Sequence, residues 1–130
     1  MVEKLDILKC EVCGNVVEIL HAGYGTLVCC SQPMQKLEEH KNDDIAQEKH
    51  VPILISNDKE KIIRVGSLPH PMESEHYIMF IEAISYDKVW LKRKFLKPGD
   101  EPSLKFSTDG DRMIARELCN IHGLWSNSND

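Results

Sequence analysis

The chain has 130 residues, 42% apolar and 28% charged, with five Cys, six His and a formal net charge of −5, a size that fits one ordinary domain or one compact domain with a small appendage. No apolar run approaches the roughly 18 residues of a membrane span, and Met1-Val2-Glu3-Lys4-Leu5-Asp6 carries acid where a secretory leader needs basic residues before an apolar stretch. The acidic balance speaks against general nucleic-acid binding, and the odd cysteine count against a closed disulfide framework, so an unprocessed cytoplasmic protein is expected.

The first unit, residues 1–37, reads as short β segments at 5–9, 16–20 and 26–28, punctuated by Gly14, Gly23 and Gly25. So small a unit rarely holds a core without a staple. Residues 38–47 are rich in charge (Glu38, Glu39, Lys41, Asp43, Asp44) and read as a linker. From 48 to 130 the chain is strand-like. Segments 51–56 and 61–67 flank the polar turn Asn57-Asp58-Lys59-Glu60, and 76–85 and 89–96 flank Tyr86-Asp87-Lys88. A loop over 97–102, a strand over 103–107 and a turn at Asp109-Gly110-Asp111 follow. Residues 112–119 suit a short helix or a strand, and their neighbours favour strand. About seven short strands in 80 residues predict a β-sandwich. The basic cluster Lys88, Lys92-Arg93-Lys94, interleaved with Trp90, Leu91 and Phe95, reads as a solvated strand face.

Four cysteines lie in the first 30 residues, as Cys10-x2-Cys13 and the adjacent pair Cys29-Cys30. Two thiolates three positions apart can hold one ion on a tight turn, and Gly14 supplies a permissive backbone. The second pair completes a tetrahedral set of four sulfurs, suited to Zn or a single Fe. Buried free thiols, or a disulfide between Cys29 and Cys30, are the alternatives. Adjacency in the second pair should distort the tetrahedron.

The histidines are placed the other way. His50, His70, His76 and His122 all lie in the second unit, beside Pro or Gly or in loops, with the lone Cys119 three positions before His122. A single such histidine is ordinarily structural, but four with one thiol point to a metal. Four nitrogens and a sulfur exceed a tetrahedral Zn site and suit a redox metal such as Fe with an open sixth position. His21 and His40 fit no such pattern and read as surface residues.

Together the two motif sets resemble desulfoferrodoxin, the two-iron form of superoxide reductase, over essentially the whole chain. The resemblance is carried by the four cysteines and by Glu48-Lys49-His50-Val51-Pro52, His70-Pro71-Met72, His76 and Cys119-Asn120-x-His122-Gly123. It implies a small desulforedoxin-like domain with an Fe(Cys)4 centre at Cys10, Cys13, Cys29 and Cys30. It also implies a seven-stranded immunoglobulin-like domain with an Fe(His)4(Cys) centre at His50, His70, His76, His122 and an axial Cys119. The implied protein is an all-β homodimer with two Fe per chain. It reduces superoxide to hydrogen peroxide with electrons from a rubredoxin-type donor. Glu48 matches the glutamate that takes the sixth position of oxidised iron, and Lys49 is the candidate for attracting the anion. Where the family often has tyrosine two residues before the motif's asparagine, this chain has Leu118. The rival readings are a superoxide dismutase, a rubredoxin-like electron carrier and a zinc-stapled binding module.

Overall fold

The computed structural model describes residues 2–41, 50–66, 70–110 and 112–128. It divides into two compact units, Met1–Glu38 and Glu39–Asp130. Every element named below is a β-strand.

In the first unit, β1 (Ile7–Lys9) lies between β2 (Val16–Glu18) and β5 (Gln35–Lys36), antiparallel to both. A separate hairpin joins β3 (Val28–Cys29) to β4 (Gln32–Pro33). Among this unit's described residues the buried apolar side chains are Ile7, Leu8, Cys10 and Ile19. That core is too small to repay the chain entropy of nearly 40 ordered residues.

The second unit begins with β6 (Glu39–His40), followed by β7 (Pro52–Asn57), β8 (Glu60–Val65), β9 (Ile78–Ser85), β10 (Leu91–Phe95), β11 (Ser103–Ser107), β12 (Met113–Cys119) and β13 (Gly123–Ser128). They form a five-stranded sheet in the order β10-β9-β12-β13-β6 and a three-stranded sheet in the order β11-β8-β7. Alternate residues of facing strands meet in one core: Ile63 and Val65, Leu104 and Phe106, Ile81 and Ala83, Met113 and Ala115. This is the expected sandwich, with burial alternating along β8 and β11, whereas the central strands β9 and β12 are buried almost throughout.

Several local expectations change. Glu39 and His40 are not linker but a short strand parallel to β13, pairing Glu39 with Leu124 and His40 with Trp125. The reason is a long-range contact: the His40 ring packs on Trp125 with centroids 4.9 Å apart, so His40 is half-buried rather than a surface residue. The rest of that stretch, 42–47, lies outside the described residues. The hairpin between β7 and β8 turns over Asp58-Lys59 alone, since Asn57 and Glu60 still pair, and Asp58 takes the left-handed φ of 55° that such a turn requires. Residues 113–119 are strand, enclosed by β9 and β13.

The basic cluster on β10 is solvated at Lys92 and Lys94 but not at Arg93. Arg93, Glu82 and Arg116 stand opposite one another across β10, β9 and β12. Glu82 is fully buried; one of its oxygens accepts from Arg93 at 2.7 Å and the other from Arg116 at 2.7 Å. Glu82→Gln would leave two guanidinium groups without their counter-charge. It should cost about 3–5 kcal/mol in denaturant unfolding. A loss below about 1 kcal/mol would show that the triad does not hold the sheet.

Candidate metal centres

The four cysteines of the first unit converge, each offering its sulfur to one point. Cys10 directly follows β1, and a tight turn closes behind it, with Gly14 N donating to Cys10 O at 2.9 Å and Cys10 N to Asn15 O at 2.8 Å. Gly14 takes φ 86°, which a side chain would strain. The Cys13 amide donates to Cys10 Sγ at 3.4 Å.

The adjacent pair has a backbone explanation. Cys29 and Gln32 pair, so Cys30-Ser31 is a two-residue hairpin turn, and both residues are left-handed at φ 54° and 62°. Successive strand residues point to opposite faces. A left-handed residue directly after Cys29 breaks that alternation and brings Cys30 round to the same side. Two non-glycine residues there cost about 1–2 kcal/mol each. All five cysteines are free.

The Cys13–Cys29 and Cys29–Cys30 sulfurs are 3.6 and 4.0 Å apart, which excludes a bond between the adjacent pair as the structure stands. Four thiolates about 2.3 Å from a tetrahedral ion lie about 3.8 Å apart. The charge balance points the same way. The Cys13 amide pulls the Cys10 thiol down to about 6, whereas hydrogen bonding with Cys13, then Cys10 and Cys29, pushes Cys30 up to about 12. One thiolate forms readily, and a full set needs a cation.

In the second unit His50, His70, His76, His122 and Cys119 bring one ligand atom each within 4.8 Å of all the others. The imidazoles form a closed ring. Their centroids are 4.6 Å apart for His50–His70, 4.8 Å for His70–His76, 4.9 Å for His76–His122 and 4.7 Å for His122–His50. Each ring stands edge-on to the next, at 63° to 78°. The Nε2 atoms of His50 and His70 are 2.9 Å apart. Two nitrogens about 2.1 Å from one ion, at right angles, lie about 3 Å apart. The residues present fit a metal with four nitrogens around it.

Supporting contacts hold these rings. His70 Nδ1 faces Pro71 O at 2.7 Å, so a proton on Nδ1 leaves the Nε2 lone pair for the centre. Burial keeps His70 neutral, lowered to about 4, with the neighbouring imidazoles adding to the effect and the Pro71 carbonyl opposing it. Trp125 stacks on His50 at 4.9 Å and 18°, and its Nε1 donates to His122 O at 3.1 Å. The β12–β13 hairpin that carries Cys119 and His122 closes through Gly123 at φ 87°.

Cys119 is 1% exposed at the end of β12. Burial pushes its thiol up, and the amides of His122 and Ile121 draw it down; the His122 amide lies 3.4 Å from the sulfur. Two residues earlier Glu117 is fully buried, and neither carboxyl oxygen has a hydrogen bond among the described residues. Desolvation pushes it well above the usual carboxylate range. Leu118 is buried, so no hydroxyl stands at that position. His122 is exposed and His76 half-buried, so the cluster opens to solvent on their side.

The structure thus brings together all nine residues expected to hold metal, whereas Glu48 and Lys49 lie outside the described residues. Trp125 and Glu117 escaped the sequence reading and Pro71 entered it only as part of a motif, because each acts through a backbone group, a ring face or burial that no spacing announces.

Comparison with known proteins agrees. The family described as "Desulfoferrodoxin, N-terminal domain" matches residues 2–37, and "Desulfoferrodoxin" matches residues 42–128. A desulfoferrodoxin homolog from Archaeoglobus fulgidus is 53% identical over 125 residues, covering 96% of this chain and 98% of its own. Desulforedoxin from Megalodesulfovibrio gigas is 53% identical over 36 residues, 28% of this chain and 97% of its own. The crystal structure of the superoxide reductase from Treponema pallidum superposes with a TM-score of 0.75 at 27% identity, covering 95% of this chain and 98% of that one. The chain belongs to the desulfoferrodoxin family.

Proposed function

We propose that the protein is a superoxide reductase, adding one electron and two protons to superoxide to give hydrogen peroxide, with no oxygen released. The ring of four imidazoles with a buried thiol in the same donor set carries this reading. A rubredoxin-like carrier would need only the cysteine site. His50, His70, His76, His122 and Cys119 would hold the iron, which when bound would supply the electron. His70 enters as a neutral donor, and the amides of Ile121 and His122 help to bear the charge of a Cys119 thiolate. Superoxide and protons arrive on the solvent side of His76 and His122.

Glu48, two residues before His50 in the chain, is the carboxylate that would be available to a metal held there. Lys49, next to His50 in the chain, provides the local positive charge that a net −5 otherwise denies an anion. Lys49→Ala should slow the second-order reaction with superoxide about tenfold and flatten its dependence on ionic strength. An unchanged salt slope would remove Lys49 from the role.

The Cys10–Cys30 centre relays or stores an electron from a rubredoxin-type donor. Exposed Leu20, Tyr24 and Val28 in the first unit support a homodimer, and five free cysteines support a reducing, cytoplasmic setting in oxidative-stress defence.

Pulsed superoxide with peroxide and oxygen both measured tests the function. One peroxide per superoxide and no oxygen is expected. Oxygen evolution would identify a dismutase, and colourless protein with two Zn per chain would identify a stapled binding module.

A further inference from the structure

We infer that Asn120 is a positioning residue that locks His76 and Cys119 into one ligand set. The inference rests on the histidine–cysteine cluster being a metal centre and names what keeps two of its ligands in register.

His76 does not sit on a regular strand. It closes a tight loop in which Glu73 N donates to His76 O at 2.9 Å and His76 N to Glu73 O at 3.1 Å. β9 begins only at Ile78. The adjoining ladder is also interrupted: Leu118 pairs with Phe80 but Cys119 pairs with Ile78, so the register slips between the last two residues of β12. Both ligands therefore sit where ordinary sheet bonding fails, and their separation needs another constraint.

Asn120 supplies it. Its Oδ1 accepts from Tyr77 N at 2.9 Å, its Nδ2 donates to Glu75 O at 3.0 Å, and its own N donates to Tyr77 O at 3.2 Å. The side-chain amide thus imitates a strand peptide, bonding to the backbone on both sides of His76. Because Asn120 directly follows Cys119, any movement of the His76 loop must stretch these bonds or drag the sulfur with it. The two polar ends of one amide do different work, and aspartate, the side chain of the same length and shape, is acceptor-only when ionised.

The full-length metal-free protein titrated with Co2+ tests this, following the ligand-field and sulfur-to-cobalt bands of each centre. Asn120→Ala should weaken Co2+ binding at the histidine–cysteine centre about 10–100-fold, with displaced bands, and leave the four-cysteine centre unchanged. Asn120→Asp keeps the Tyr77 bond but sets oxygen against the Glu75 carbonyl, so the same centre should weaken. Should the alanine variant not fold, the aspartate variant decides by the same comparison.

Wild-type affinity and bands at this centre in a folded variant would overturn the inference. So would a weakening fully matched by lost resistance of the metal-free second unit to denaturant, the mark of a purely structural role. A wild-type chain that takes no Co2+ at the histidine–cysteine centre would instead overturn the metal-centre reading, and the inference with it.

Discussion

Cys119→Ser is expected to abolish superoxide reduction while the four-cysteine chromophore persists. Serine keeps the size of the side chain, so the core around a position 1% exposed should stay packed. What it loses is a thiol that the Ile121 and His122 amides help to ionise. A hydroxyl in the same buried setting stays protonated and is a poor donor to iron, so the sulfur-to-iron band of the oxidised protein should vanish. Retained reduction at the wild-type rate would remove Cys119 from the ligand set. The measurement is single-turnover oxidation of the pre-reduced protein by superoxide, with the spectrum of the four-cysteine centre recorded in the same sample.

Cys13→Ser should act in the opposite direction. The first unit has Ile7, Leu8, Ile19 and Cys10 as its buried apolar side chains among the described residues, and two left-handed residues at Cys30 and Ser31 work against its hairpin. Such a unit depends on its metal, so losing one sulfur of four should remove the four-cysteine chromophore and most of the ordered structure of residues 1–38. Limited proteolysis should then cut within that unit. Superoxide should still oxidise the second centre at the wild-type rate, since none of that centre's ligands comes from residues 1–38. Loss of both activities together would show that the division of labour between the units is drawn wrongly.

The ligands were legible in the sequence because metal chemistry needs particular atoms, and Cys and His announce theirs. Cys10-x2-Cys13 even carries its geometry in its spacing. Adjacent Cys29 and Cys30 do not, because the left-handed turn that turns both inward follows from the pairing of Cys29 with Gln32 and from Ser31 accepting an unfavourable φ. The strand over 113–119 was ambiguous by periodicity and was decided by its neighbours β9 and β13. β13 itself, with Ser126, Asn127 and Ser128, has weak strand propensity, and pairing with β12 on one side and β6 on the other overrides it. β6 was hidden by charge: Glu39 and His40 look solvated until Trp125, 85 residues beyond His40, provides the ring on which His40 rests. Asn120 was visible as part of a motif, but its bonds to the residues flanking His76 exist only once two distant segments meet.

The edge-to-face ring of imidazoles has one more consequence. Each of the four rings presses its edge against the face of the next, and the series closes on itself from His50 through His70, His76 and His122. Side chains meshed in this way turn like a train of gears: no ring can rotate alone. An ion with a different radius, or one demanding a different angle at a single nitrogen, therefore asks all four rings to shift against their backing at Trp125 and Pro71. The cluster would thus gauge its metal collectively, all four nitrogens at once, rather than ligand by ligand.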